Sequence, residues 1–211
     1  MFFENTPLPY PYAALEPHID AETMKLHHDR HLQTYIDSLN DALLCAPGFQ
    51  GRTAAQLSLL QNRPSISKNA GGVFNHRFYF AGMTPDADRH TPEGTLKQAV
   101  LHHFCTKENF IHAFTASALQ LYGSGYTWLA CNRQKQLIIL TTPNQEVPML
   151  RGLRPLLCCD MWEHAYYLKN QNRRAAYLES WFRVLDWQRA NALFTGEVPF
   201  FDPKMPSDTE K

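Results

Sequence analysis

The stretch "PLLCCDMWEHAYY", Pro155 to Tyr167, constrains the fold more than any other in the chain. Its opening residues are apolar and read as a short strand running into a core. Asp160, Glu163 and His164 then follow within five positions, wrapped in Trp162, Tyr166 and Tyr167. An unpaired charge at the end of a buried strand costs several kcal/mol. The fold must therefore bring these groups a partner, and the rest of the chain has to supply it.

With 211 residues and 44% hydrophobic content, the chain can bury a sizeable core as one domain or two small ones. Its 20 basic and 20 acidic residues balance to a formal net charge of zero, which argues against nucleic acid or an anionic membrane as a partner. No apolar run approaches the roughly 20 residues needed to cross a bilayer. The opening "MFFENTPLPYPY" has neither a basic nor a continuous apolar region of the kind that directs export, so a soluble cytoplasmic protein is expected. Five cysteines stand at 45, 105, 131, 158 and 159 without a CxxC pair, a pattern that predicts free thiols in a reducing compartment. Cys158 and Cys159 are adjacent on a strand and so point to opposite faces, which favours packing over shared metal ligation. Histidine is the informative count: of ten, His27, His28 and His31 fall within five positions.

Helical periodicity predicts a long helix from about Ala21 to Leu44, with Asp20 at its N-cap. A second helix is expected over about 69–83, flanked by loops "NRPSISK" and "TPDADRHTPEG". The two would form an antiparallel hairpin, and the second loop marks a boundary between residues 1–88 and 89–211. Beyond it "GTLKQAVLHHF" and "KENFIHAFTASALQLYG" read as helices, the latter closing on Gly123. "YTWLACNRQKQLIILTT" carries two alternating apolar segments around a polar turn, a hairpin signal. "LRPLLCCD" supplies a third strand, and "HAYYLKNQNRRAAYLESWFRVLDW" returns to helix. The expected fold class is α+β: an N-terminal helical hairpin, then a C-terminal α/β domain with a small three-stranded antiparallel sheet.

Each polar group has a bland explanation. His27 and His31, four apart on one helix, could share a solvated face. His76, among the aromatics of "FNHRFYF", could be a hydrogen-bonded core histidine. Asp160 and His164 could simply pair with each other. Taken jointly these accounts need a separate buried partner at every site, whereas one cation satisfies all of them. Imidazole plus carboxylate ligation suits manganese, iron or zinc, and two histidines with one carboxylate also serve iron(II) sites with open positions.

Over nearly its whole length the chain resembles the iron/manganese superoxide dismutases. The resemblance rests on "LPYPYAALEPHIDAETMKLHHDRHLQTY", "NAGGVFNHRFYF", "YGSGYTWL" and "DMWEHAYYLKNQNRRAAY" in that order. It implies one metal ion per subunit, held by His27, His76, Asp160 and His164 with a solvent ligand. It implies Tyr35 as a gateway residue, His31 as its companion in proton relay, and Gln145 as hydrogen-bond donor to the solvent. Trp128, Tyr126 and Trp162 would form the aromatic outer shell. Glu163 and Tyr167 would cross a two-fold interface to a partner's His164 and His31, making at least a homodimer, with a tetramer also open. The substrate would be superoxide anion, converted to oxygen and hydrogen peroxide as the metal alternates between two oxidation states.

Several positions depart from the family pattern. Gly72 stands where the iron branch usually has a glutamine, so the amide comes from Gln145 as in manganese members. Val73 and Cys158 look more iron-like. Manganese is the favoured ion, with iron or dual use open. Phe80 and Tyr126 each replace a frequent tryptophan, and Ala175 a frequent proline. These changes raise the alternative of a catalytically weakened metal-binding relative, although all four ligand positions and Gln145 remain. Arg174 could add positive potential near the substrate funnel or lie solvated on a helix.

Overall fold

The computed structural model describes residues 2–198. The final stretch that sequence reading assigned to the second half, 199–211, lies outside the described residues.

The first helix forms as expected but not as one regular cylinder. It runs α1 (Ala21–Leu26), a π-helical segment (His27–Leu32) and α2 (Gln33–Leu44), with the Asp20 carboxylate accepting from the Thr23 amide at the N-cap. A short helix that periodicity missed, α3 (Ala54–Ser58), follows. Its capping box was legible: the Thr53 side chain accepts from the Gln56 amide while the Gln56 side chain accepts from the Thr53 amide. The second long helix, α4, spans Pro64–Ala81 and so swallows most of the expected "NRPSISK" loop. Pro64 opens the helix, where its missing N–H would be unpaired in any residue. Most of α4 from Ala70 to Phe80 is buried, which makes it the central helix of the molecule.

α5 (Gly94–Phe104) and α6 (Lys107–Gln120) match expectation, except that α6 stops at an extended Leu121, so Gly123, with φ 77°, belongs to the turn beyond. Three strands follow: β1 (Gly125–Cys131), β2 (Leu137–Pro143) and β3 (Arg154–Asp160). They form one antiparallel sheet in the order β2-β1-β3, with the expected turn between β1 and β2. Both β1 and β3 are buried almost end to end, which is why their sequences lack a polar face. Register sets Tyr126 between Thr142 and Asp160, and Trp128 between Leu140 and Cys158.

The expected return to helix is made in pieces: a 3-10 turn (Glu163–Ala165), α7 (Tyr167–Asn170), α8 (Arg174–Trp181) and α9 (Trp187–Thr195). Gln171 stops α7 at a positive φ of 48°, and Asp186 starts α9 as its N-cap. Backbone hydrogen bonds tie the end of α4 to the start of α9, Thr84 donating to Val184 and Asp186 to Gly82. Among the described residues no helix is long and apolar enough to cross a membrane.

Candidate metal centre

Four segments meet at one point. The π-helical segment brings His27, α4 brings His76, the last residue of β3 is Asp160, and the 3-10 turn after it carries His164. One donor atom from each lies within 4.8 Å of all the others. His27 Nε2 stands 3.2 Å and His164 Nε2 3.5 Å from Asp160 Oδ2. His27, His76 and Asp160 are fully buried.

The orientation of these groups is fixed from outside the cluster. His76 Nδ1 donates to the Gly72 carbonyl at 2.7 Å, one turn back on α4, which leaves Nε2 unprotonated and aimed inward. Asp160 Oδ1 accepts from the Trp162 amide at 2.9 Å, which leaves Oδ2 for the centre. His164 is sandwiched, its ring stacked against His31 at 4.1 Å and Trp162 at 5.6 Å between centroids. The result is four buried atoms, His27 Nε2, His76 Nε2, Asp160 Oδ2 and His164 Nε2, without a hydrogen-bond partner among the described residues. Buried polar atoms are normally paired. Four converging orphans, three of them imidazole lone pairs and one a carboxylate oxygen, fit a divalent or trivalent first-row metal ion.

Electrostatics point the same way. Burial, reinforced by His164, pulls the His27 pKa down to about 4, against the opposing pull of Asp160. Burial also holds His76 well below the usual imidazole range. Burial on its own would raise the Asp160 carboxyl, but contact with His164 and His27 outweighs it and keeps the carboxyl below its ordinary range. At neutral pH His27 and His76 are thus neutral and Asp160 is ionised, the protonation states a metal requires of them.

Around this core the other expected residues take distinct places. Gln145 is buried, and its Nε2 donates to the Tyr35 hydroxyl at 2.9 Å. The Tyr35 ring lies 5.2 Å from that of His76, and burial raises the phenol pKa despite the Gln145 hydrogen bond. His31 is exposed at the edge, its pKa lowered by burial of part of the ring and by His164. Tyr126 and Trp128 are fully buried on β1, Trp128 donating through Nε1 to Thr142 Oγ1 at 2.9 Å. Trp162 Nε1 donates to the Asn144 carbonyl at 3.3 Å. Glu163 and Tyr167 point outward and are exposed, as is Leu168.

Two residues noted in the sequence do not join the site. His28 bonds Asp29 at 2.8 Å and the Thr6 carbonyl at 2.9 Å, on the far side of the helix from the centre. Arg174 caps α6, donating to the Leu121 carbonyl at 2.9 Å and the Ala118 carbonyl at 3.2 Å, so its charge neutralises a helix C-terminus.

Sequence reasoning passed over the means by which α4 accepts its neighbours. A Cβ at position 71 would fall 2.1 Å from the Gln145 carbonyl oxygen, and one at position 72 would fall 2.3 Å from the Tyr35 ring. The signal was a Gly-Gly pair inside a helical pattern, which marks close approach when it persists at a cost to helix propensity.

A helical hairpin joined to an α+β half, with three histidines and an aspartate converging between them, defines a single-metal oxidoreductase scaffold. The profile of the iron/manganese superoxide dismutase α-hairpin domain matches residues 2–84, and that of the C-terminal domain matches residues 92–193. The manganese superoxide dismutase 1 of Leptolyngbya boryana is 43% identical over 195 residues, 88% of this chain and 77% of that protein. The manganese enzyme of Pseudomonas aeruginosa is 41% identical over 86% of this chain and 92% of its own length. A manganese/iron enzyme of Methylomonas is 40% identical over 88% and 94%. The chain belongs to the iron/manganese superoxide dismutase family.

Proposed function

We propose that this chain holds one manganese or iron ion per subunit on His27, His76, Asp160 and His164 and dismutates superoxide. The observation that carries the reading is the convergence of four buried, unpartnered donor atoms within 4.8 Å. When bound, the ion supplies a one-electron couple that oxidises one superoxide to oxygen and reduces a second, two protons being consumed to release hydrogen peroxide.

The chain's own residues govern ligand state and proton supply. Gly72, through His76 Nδ1, and the Trp162 amide, through Asp160, fix two ligands in the tautomer and rotamer that face the ion. Tyr35 is protonated at neutral pH, as an ordinary phenol is, and burial raises its pKa further, so its hydroxyl holds a transferable proton at the pocket. His31, exposed and stacked on His164, links that pocket to solvent.

Manganese is the favoured ion. Gln145 provides the side-chain amide that bonds Tyr35, and the alternative donor position on α4 is a glycine, Gly72, with the Tyr35 ring packed where its side chain would stand. Two of the relatives are named as manganese enzymes and a third as manganese/iron. The exposed Glu163, Tyr167 and Leu168 beside His164 support a homodimer closed over the ligand turn. Exposed free thiols at Cys45 and Cys105 suit a cytoplasmic setting. A weakened, non-catalytic role gains no support, since Phe80 and Tyr126 leave all four donors in place.

Elemental analysis of the native protein, joined to superoxide turnover after reconstitution with manganese and with iron, tests the reading. Turnover well above that of the free ion is expected; turnover no faster than the free ion would sink it.

A further inference from the structure

A groove of about 880 Å³ runs between the N-terminal segment, α4 and α9, apart from the metal centre. Its α4 wall includes Phe74 and Phe78, two residues to either side of His76 and so on the opposite face of that helix. Leu8, Met83 and Ala192 also line it, which makes the groove largely apolar. Three guanidiniums, those of Arg77, Arg89 and Arg189, share it with two carboxylates, Asp186 and Glu197. Arg89 occupies the Asp186 carboxylate, Nε donating to Oδ1 at 3.1 Å and Nη2 to Oδ2. Arg189 lies over the Phe78 ring at 5.7 Å, and its Nε is buried without a hydrogen-bond partner among the described residues. A buried guanidinium N–H beside an apolar groove is costly unless something pairs with it. The complement is a segment that brings both aromatic surface and a carboxylate.

The chain carries such a segment at the mouth of the groove. Val198, where the described residues stop, lines the groove, and its amide donates to the Ala192 carbonyl at 3.2 Å. The sequence continues "PFFDP", Pro199 to Pro203. Prolines at 199 and 203 disfavour helix, and four extended residues reach up to about 13 Å from Val198. We propose that Pro199–Asp202 is an intramolecular strap, Phe200 and Phe201 filling this groove and the Asp202 carboxylate facing Arg189. Tethered so closely, the segment meets the groove at an effective concentration far above that of a second copy in solution. The strap would tie α9 to the N-terminal segment across the back of α4, and it stands or falls independently of superoxide turnover.

Photo-crosslinking tests it in the full-length, metal-loaded protein, with Phe201 replaced by p-benzoylphenylalanine, whose ketone inserts into neighbouring C–H bonds. Links within one chain to the peptides that carry Leu8 or Met83 are expected on mass spectrometry. Links to other parts of the chain would overturn the proposal, and so would links that double the mass, which would make the occupant a second copy. The full-length double variant Phe200→Ser with Phe201→Ser should expose the groove: fluorescence of anilinonaphthalene sulfonate, an aromatic anion, rises above wild type and the urea midpoint falls. Asp202→Asn should move both readings the same way by less, and adding Arg189→Gln to it should bring no further loss. Equal dye binding by wild type and the double variant would mean that the groove is open in both, which also overturns the strap.

Discussion

The two halves of the molecule deliver their ligands in different ways. His27 and His76 stand on long helices, fully buried, in positions that the hydrophobic core would hold with or without a metal. Asp160 and His164 come from the end of a strand and a three-residue 3-10 turn, and the chain then emerges at once into exposed Tyr167 and Leu168. One half is a preformed wall; the other, the flap, pairs a buried strand end with a short turn that reaches the surface, and only the turn depends on what it ligates and on what covers it. Repeat architectures aside, local stability follows local burial, so damage to the wall and damage to the flap should have different consequences.

The largest effect is expected at the wall. His76→Ala removes a donor that no neighbour can replace, because α4 carries no other His, Cys, Asp or Glu. Metal content measured by elemental analysis should fall to background while the helical circular dichroism persists. Full metal retention would show that the flap ligands, rather than the wall, hold the ion.

Next comes the close packing on α4. Gly→Ala inside a helix ordinarily gains up to about 1 kcal/mol. At Gly71 the sign should reverse, since the new methyl would meet a main-chain oxygen at 2.1 Å and the backbone cannot step aside cheaply. Overpacking of this kind costs about 1–3 kcal/mol, visible as a lowered urea midpoint. Gly72→Ala meets instead the Tyr35 ring, a side chain that can rotate away. It should cost less stability but displace Tyr35 from Gln145, so turnover falls while metal content holds.

Acid provides a milder probe. In the metal-free protein His27 titrates at about 4 rather than at the ordinary imidazole value of 6.5. The unfolded chain therefore binds more protons between these values, and the stability from keeping His27 neutral is complete above about pH 6.5 and is lost as pH falls toward 4. His76, shifted in the same direction, adds to the loss. Urea midpoints of metal-free protein at pH 7.5 and pH 5 should differ accordingly, and metal loading should shrink the difference by blocking protonation of the ligands. Equal midpoints would mean that the wall histidines are less buried than their surroundings indicate.

The same contrast explains what was legible in the sequence. The flap announced itself, because Asp160 and His164 break an apolar strand within five residues. His27 and His76 were found by type and by the family likeness, and the sheet by its alternating segments. The π-helical turn at His27–Leu32 was not legible, since it depends on packing against α4 rather than on any propensity of "HHDRHL". Nor were the breaks after Asn170 and Trp181, where amphipathic spacing continues through Gln171 at its positive φ.

The smallest expected effect belongs to Tyr126, where the likeness to the family is broken by a frequent tryptophan's absence. Its ring is fully buried, edge-on to His76 at 6.3 Å and tilted against Trp128 at 5.8 Å, so packing alone accounts for an aromatic there. Its hydroxyl, however, makes no well-formed hydrogen bond, although the Gln145 side chain lies near enough to pull the phenol pKa down against burial, and a buried hydroxyl left short of a partner costs about 1–3 kcal/mol. Tyr126→Phe keeps the ring and removes that cost, so it should leave metal content and turnover unchanged and raise the thermal midpoint, by about 2–4 °C for each kcal/mol recovered in a chain of this size. A lowered midpoint together with slower turnover would mean that the hydroxyl supports Gln145 after all. The ordered wall would then extend from the hairpin helices across to β1, and the division between wall and flap would have to be redrawn.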